Sequence, residues 1–295
     1  MSCPKAIEEA VEGLYAAFSQ YPLPTNTYPC GGCHSPGADD MLHAAPLRQL
    51  EWKHLADYAT DALLVWGDLD CFKHFLPRIF ELLLTASDWR RGTPTPEMVF
   101  ARFKYGEWRT WPESEQAAVE KMLQAMWETI LSNPPIESGY IDVDQWLCCI
   151  SYCENSLTAY LDRWLKDERL SSAWALSSWI LGSEIAYTGA HSDPPVWEDE
   201  TSLPEIQAWF DQPHRGAFWN GCAEQYAQLQ RWIRLPEVIT KLQRAQLTCG
   251  NPDMEREFET AQLCLSGARS MKFERVYKKR LYQSAYWDSP SYRLY

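Results

Sequence analysis

The chain has 295 residues, 46% of them hydrophobic, enough for one large domain or two ordinary ones and too apolar for intrinsic disorder. Its 40 acidic and 27 basic residues leave a formal charge of −13. That balance argues against nucleic acid as the main partner, because neutralising a phosphate backbone needs a dominant basic surface.

Ten Cys occur without an export signal: Pro4 and the acidic pair Glu8-Glu9 stand where a charged start and an apolar run would lie. The thiols are therefore expected in reduced form and the protein in the cytoplasm. The charge is uneven. Residues 1–150 carry 11 Lys/Arg against 21 Asp/Glu, and residues 151–295 carry 16 against 19. Asp193 to Asp211 is acidic throughout, whereas the chain after Arg269 is basic and rich in Tyr.

In chain order, Ile7, Val11, Leu14, Tyr15 and Phe18 form one helical stripe, opened near Pro4 and closed by Pro22. A loop rich in Pro and Gly follows over 21–40 and contains Cys30-Gly31-Gly32-Cys33-His34. The spacing predicts a helix over about 51–66, stopped by Gly67. Asp68 is placed to cap the next helix, whose inner face is Leu69, Phe72, Phe75, Leu76, Ile79, Phe80 and Leu83. Pro77 lies inside that helix and removes one backbone donor.

Thr95-Pro96-Glu97 opens a short helix through Phe103. Pro112 opens a longer one, with Glu113 and Glu115 near the positive end of its dipole. Further helices are predicted at about 142–153, 156–168, 171–188, 203–211, 214–232, 235–248, 252–265 and 268–287. No alternating strand pattern occurs. The uncharged run from Leu170 to Ser183 is too short and serine-rich to span a bilayer, which takes about 20 apolar residues. The expected fold is all-α, an irregular stack of helix hairpins, superhelical or in two helical lobes, with no substantial sheet. The lobes are read as 1–135 and 136–295, packed as one continuous body.

Tyr15 to Pro24, the Cys30-x-x-Cys33 loop, Leu47 to Trp66, Gly67-Asp68 and Phe72 to Leu82 (FKHFLPRIFEL) together form a recognisable string. Over about residues 14–130 the chain resembles a family of uncharacterised bacterial helical proteins. That resemblance implies a bacterial cytosolic origin and lends no activity.

Cys30 and Cys33 carry the strongest local chemistry. Two thiolates two residues apart can grip one tetrahedral zinc, and the glycines between them suit a tight turn. His34, His43 and Cys3 are the nearest further ligands, and Cys30, Cys33, His34 and His43 are the candidate metal set; against it, no second CxxC exists. A redox dithiol ordinarily opens a helix after a strand, and no strand precedes Cys30.

Cys148, Cys149 and Cys153 read as small buried hydrophobes on a helix. His54 and His74 read as helix-surface or hydrogen-bonded residues, and Asp142 and Asp144 as helix-start residues. His191-Ser192-Asp193 has no nucleophile-elbow glycines around it, and no catalytic motif is complete. The expectation is a non-enzymatic protein that docks a basic protein partner through Trp197, Glu198, Asp199, Glu200 and Trp209, for example an immunity protein that occludes the active site of a cognate bacterial toxin. The alternative is a zinc-binding or thiol-dependent regulator or enzyme centred on Cys30 and Cys33.

Overall fold

The structure is a computed structural model that describes residues 4–34, 37–85, 94–132, 143–189 and 219–266. The predicted helices at 203–211 and 268–287, the docking residues Trp197, Glu198, Asp199, Glu200 and Trp209, the His191–Asp193 triplet, Asp142 and the basic C-terminal segment lie outside the described residues. Among those described, the regular structure is helical, with a single isolated bridge between Ala62 and Trp66 and no strand. The fold is all-α.

The helices are α1 (Lys5–Ala17), α2 (Ala38–Leu42), α3 (Trp52–Asp61), α4 (Leu69–Thr85), α5 (Pro96–Tyr105), α6 (Glu113–Ser132), α7 (Val143–Cys153), α8 (Thr158–Lys166), α9 (Leu170–Gly189), α10 (Ala223–Ile233), α11 (Pro236–Thr248) and α12 (Pro252–Leu265). Single 3-10 turns lie at Leu47–Gln49, Trp108–Thr110 and Trp219–Cys222. The chain forms two compact units. One comprises Met1–Thr129 and Gln145–Ser156, the other Ile130–Asp144 and Leu157–Tyr295.

In the first unit, α1 buries Ile7, Ala10, Val11 and Leu14 and packs on α4. Asp68 caps α4 as its sequence position requires: its carboxylate accepts the Cys71 amide at 2.9 Å. Of the predicted inner face, Phe72, Phe75, Leu76, Ile79, Phe80 and Leu83 are buried, while Leu69, at the helix start, is half-buried. The helix runs on through Pro77.

The rings of Phe80, Phe100, Phe103, Trp108 and Trp111 form a connected aromatic core. Phe80 lies 5.0 Å from Phe100 and Phe103 lies 5.8 Å from Trp111, centroid to centroid. Aromatic pairs at such separations add about 0.5–1.5 kcal/mol each to the area that they bury.

Inside this apolar core sits one ion pair. Lys73 Nζ and Glu115 Oε2 are 2.7 Å apart, and their side chains are 5% and 0% exposed. The carboxylate also accepts from Tyr21 Oη at 2.6 Å and Gln20 Nε2 at 2.8 Å, while the ammonium donates to Tyr21 Oη and lies 4.6 Å from the Trp111 ring centroid. Burial pulls the lysine pKa down. The hydrogen bonds and charges of Glu115 and Tyr21 outweigh it, so the ammonium is held above its ordinary value.

In the second unit, Trp164 of α8 stacks on Trp232 of α10 at 5.3 Å. Helix α12 packs on both α11 and α9. Asp144, in the first turn of α7, accepts the indole N–H groups of Trp179 (3.1 Å) and Trp219 (3.2 Å). Lys241 of α11 donates to the Asp167 carbonyl at the end of α8, and burial lowers its pKa to about 8. The described helices include none long and apolar enough to cross a membrane.

Candidate functional site: a dithiol turn beside an open cleft

The helix predicted over 51–66 ends at Asp61. Its N-terminus is a capping box: the Glu51 carboxylate takes the His54 amide, and the Glu51 amide donates to His54 Nδ1 at 2.9 Å. At its other end Leu63 turns left-handed, with φ of 65°, and its amide donates to the Trp66 carbonyl at 3.1 Å. Apolar periodicity continues through this tight turn, so the sequence pattern alone does not reveal it.

Residues 62–66 instead form a small knuckle that the Cys loop leans on. The Cys30 amide donates to the Val65 carbonyl at 2.9 Å. Thr27 is the second anchor. Its hydroxyl, 1% exposed as a residue, donates to the Asp39 carboxylate and accepts from the Trp66 indole N–H, while its amide donates to Asp39 Oδ1 at 3.1 Å. Asp39 lies on α2, the short helix that the sequence reading places in a loop. His74 serves the same loop, its Nδ1 2.8 Å from the Tyr21 carbonyl oxygen.

Between these anchors the Cys30-Gly31-Gly32-Cys33 segment makes one tight turn. The amides of Cys33 and His34 both donate to the Cys30 carbonyl at 3.0 Å. A turn of this kind holds the first and fourth Cα atoms within about 7 Å, which overlaps the range of about 4.4–6.8 Å that a disulfide spans. The two glycines are not demanded by backbone strain, since neither has a positive φ. A Cβ on Gly31 meets nothing within 4 Å, and one on Gly32 meets only Cys30 Sγ at 4.0 Å. Their contribution is open space around the sulfurs.

The two thiols are unequal. The Cys33 thiol hydrogen-bonds to Cys30 Sγ, and the amides of Gly32 and Cys33 add to it, so the Cys30 pKa falls below its ordinary value. Cys33 moves the other way, because it donates to Cys30 and faces both that sulfur's developing charge and Asp61. Cys33 is exposed and Cys30 half-buried. The half-buried thiol is thus the more acidic of the two, and the exposed one the less acidic.

His34 and His43 are engaged elsewhere. His34 Nε2 lies 3.3 Å from the Asp61 carboxylate, and its ring centre is 4.4 Å from that of Trp66. His43 Nε2 lies 3.4 Å from Asp39. Among the described residues no three or more His, Cys, Asp or Glu side chains gather around a point suited to a metal ion. The run Cys-x-x-Cys-His also has the spacing of covalent haem attachment, in which the His ligates iron. Here the imidazole packs on Trp66 with its side chain only 8% exposed, which leaves it no open face for a porphyrin.

Beside the turn opens a cleft of about 300 Å³, lined among others by Thr27, Tyr28, Leu64, Val65, Trp66 and Cys71. Gly67 in its wall has φ of +72°, and a Cβ there would meet Cys71 Sγ at 2.9 Å, so only glycine fits. Cys71 is chemically quiet: burial raises its thiol pKa to about 12, and its sulfur accepts the Tyr58 hydroxyl at 3.1 Å. The rim is apolar and exposed. Tyr28 is 78% accessible, and Leu64 and Val65 are also open to solvent. Tyr28, like Leu63, is a non-glycine residue at positive φ, a conformation that persists only where its surroundings enforce it.

Cys148, Cys149 and Cys153 are buried within α7, in the positions expected of small apolar residues. Sequence reasoning misses the cleft, because Thr27 and Trp66 are 39 residues apart and neither carries a motif. In comparisons with family profiles, curated proteins and solved structures, the chain matches none.

Proposed function

We propose that the protein is a thiol–disulfide exchange protein, acting as a regulator or an enzyme, with Cys30 as nucleophile and Cys33 as resolving thiol. The observation that carries this reading is the turn itself: two accessible thiols of unequal acidity, set within disulfide reach and anchored to the cleft by the Cys30 amide. The Cys30 thiolate attacks one sulfur of a substrate disulfide. That S–S bond breaks, a first thiolate leaves and is protonated, and a mixed disulfide forms on Cys30. Cys33 releases its proton to solvent and attacks Cys30 Sγ, expelling the second thiol. The substrate disulfide gains two electrons and becomes two thiols, while the chain loses two and closes Cys30–Cys33.

A trapping experiment tests this. Incubated with a small disulfide, Cys33→Ser accumulates an adduct mapped to Cys30, while Cys30→Ser accumulates little on Cys33. An adduct spread evenly over Cys30, Cys249 and Cys264 would overturn the assignment.

A second reading draws support from charge: a protein that docks a basic partner through the stretch from Asp193 to Asp211, six carboxylates with no Lys or Arg. An immunity protein that covers a toxin's active site is one form of it. Co-purification from the native host at low and high salt tests that reading. Elution alone at low salt counts against it.

A further inference from the structure

The surroundings of the dithiol turn carry a preference among disulfides. Between Tyr21 and Cys71 the chain has seven Asp/Glu and two Lys/Arg. Both cations are already occupied: Arg48 pairs with Glu12 at 2.7 Å and Lys53 with Glu51 at 3.0 Å. The carboxylates, by contrast, stand at the site. His34, the residue after Cys33, holds its Nε2 3.3 Å from Asp61, which sets that carboxylate beside the turn, and Asp68 lines the cleft together with Cys71. Asp61 disfavours the Cys33 thiolate, and Asp68 and Asp39 that of Cys71. Arg102, whose charge is felt by Asp61, is buried and donates to the Thr60 carbonyl at 2.6 Å. The imidazoles facing these carboxylates are His34 on Asp61 and His43 on Asp39. Lys73, one turn into α4, is committed to Glu115.

Resting on the exchange reading, we propose that the substrate disulfide is cationic, its positive group drawn to Asp61 and Asp68 and to the exposed ring of Tyr28 while its sulfur meets Cys30. Carboxylates beside a low-dielectric wall concentrate cations and repel anions, and an open aromatic face adds a cation–π contact. Disulfides with net negative charge, glutathione disulfide among them, are disfavoured by the same field.

Three disulfides of similar size separate the terms: cystamine, bis(2-hydroxyethyl) disulfide and dithiodiglycolate, respectively doubly positive, neutral and doubly negative. Closure of Cys30–Cys33 in the full chain is timed by the loss of two hydrogens in the 21–40 peptide. Each rate is divided by the rate of the same disulfide with a neutral small thiol, which removes leaving-group chemistry. The expected normalised advantage of cystamine over dithiodiglycolate is on the order of 10-fold at low salt, falling towards unity at about 1 M, where charges are screened within ~3 Å. Asp61→Asn shrinks the low-salt advantage by about two- to three-fold.

If the bond closes with all three at normalised rates within two-fold, or fastest with the anion, the charge preference is wrong and the exchange reading stands. If it closes with none, the exchange reading fails and takes the preference with it.

Discussion

Replacing Thr27 by Val keeps the shape of the side chain and deletes its hydroxyl. Two interactions go with it: the donation to Asp39 and the acceptance from the Trp66 indole. Trp66 is buried, so its N–H is left without an acceptor away from water, a cost of about 1–3 kcal/mol. The lost bond to a carboxylate is worth about 1.5–3 kcal/mol, discounted because Asp39 keeps the Thr27 amide and some solvent. A total of about 3 kcal/mol follows, falling on the Cys loop.

Hydrogen exchange reads this locally. The Cys30 amide, bonded to Val65, and the Leu63 amide, bonded to Trp66, open together with the loop. Since about 1.4 kcal/mol is a factor of ten, their exchange speeds up on the order of 100-fold in Thr27→Val, while Thr27→Ser stays within about 10-fold of the parent. Exchange within three-fold of the parent in Thr27→Val would refute the view that this hydroxyl holds the loop to the knuckle.

Three other outcomes follow from the packing. Glu115→Ala strands a buried ammonium and costs about 3–5 kcal/mol in urea unfolding, yet Lys73→Met/Glu115→Gln costs less than the sum of its single changes; strict additivity would mean that the pair is not coupled. Gly67→Ala forces a left-handed alanine whose Cβ collides with Cys71 Sγ, and it lowers stability by about 2 kcal/mol, whereas Gly31→Ala changes it by less than about 0.5.

Stability depends on pH through Lys241, which releases its proton at about 8 when folded and near 10.5 when unfolded. Between those values the unfolded chain binds more protons, so this lysine's contribution rises with pH by up to about 3 kcal/mol and is flat below pH 8. The stability difference between the parent and Lys241→Met measured at pH 8 and pH 10 should show that slope, and a constant difference would contradict it.

The helices are legible because their inner faces repeat at three and four: the pattern from Leu69 to Leu83 needs no knowledge of what it packs against. Caps are legible for the same local reason, as at Asp68 and at Pro96, which opens α5. What the sequence conceals is set by distant partners. Leu63 and Leu64 continue an apolar helical pattern, and only the Trp66–Thr27 and Val65–Cys30 bonds, across more than 30 residues, end α3 at Asp61. Glu115 reads as a carboxylate near the positive end of a helix dipole, whereas its partner Lys73 lies on another helix and pairs with it in full burial. At the candidate site the thiols are plain in the string, but their inequality comes from a turn geometry and from Asp61, which no spacing announces.

The most direct test of the dithiol as the working centre is a redox titration of the full chain in buffers of graded thiol-to-disulfide ratio, with every cysteine alkylated and mapped. One two-electron transition should appear, belonging to Cys30 and Cys33 together, while Cys71, Cys148, Cys149, Cys153 and Cys222 remain reduced in the buried core. If Cys30 and Cys33 titrate as separate mixed disulfides and never join, the turn is not a redox pair.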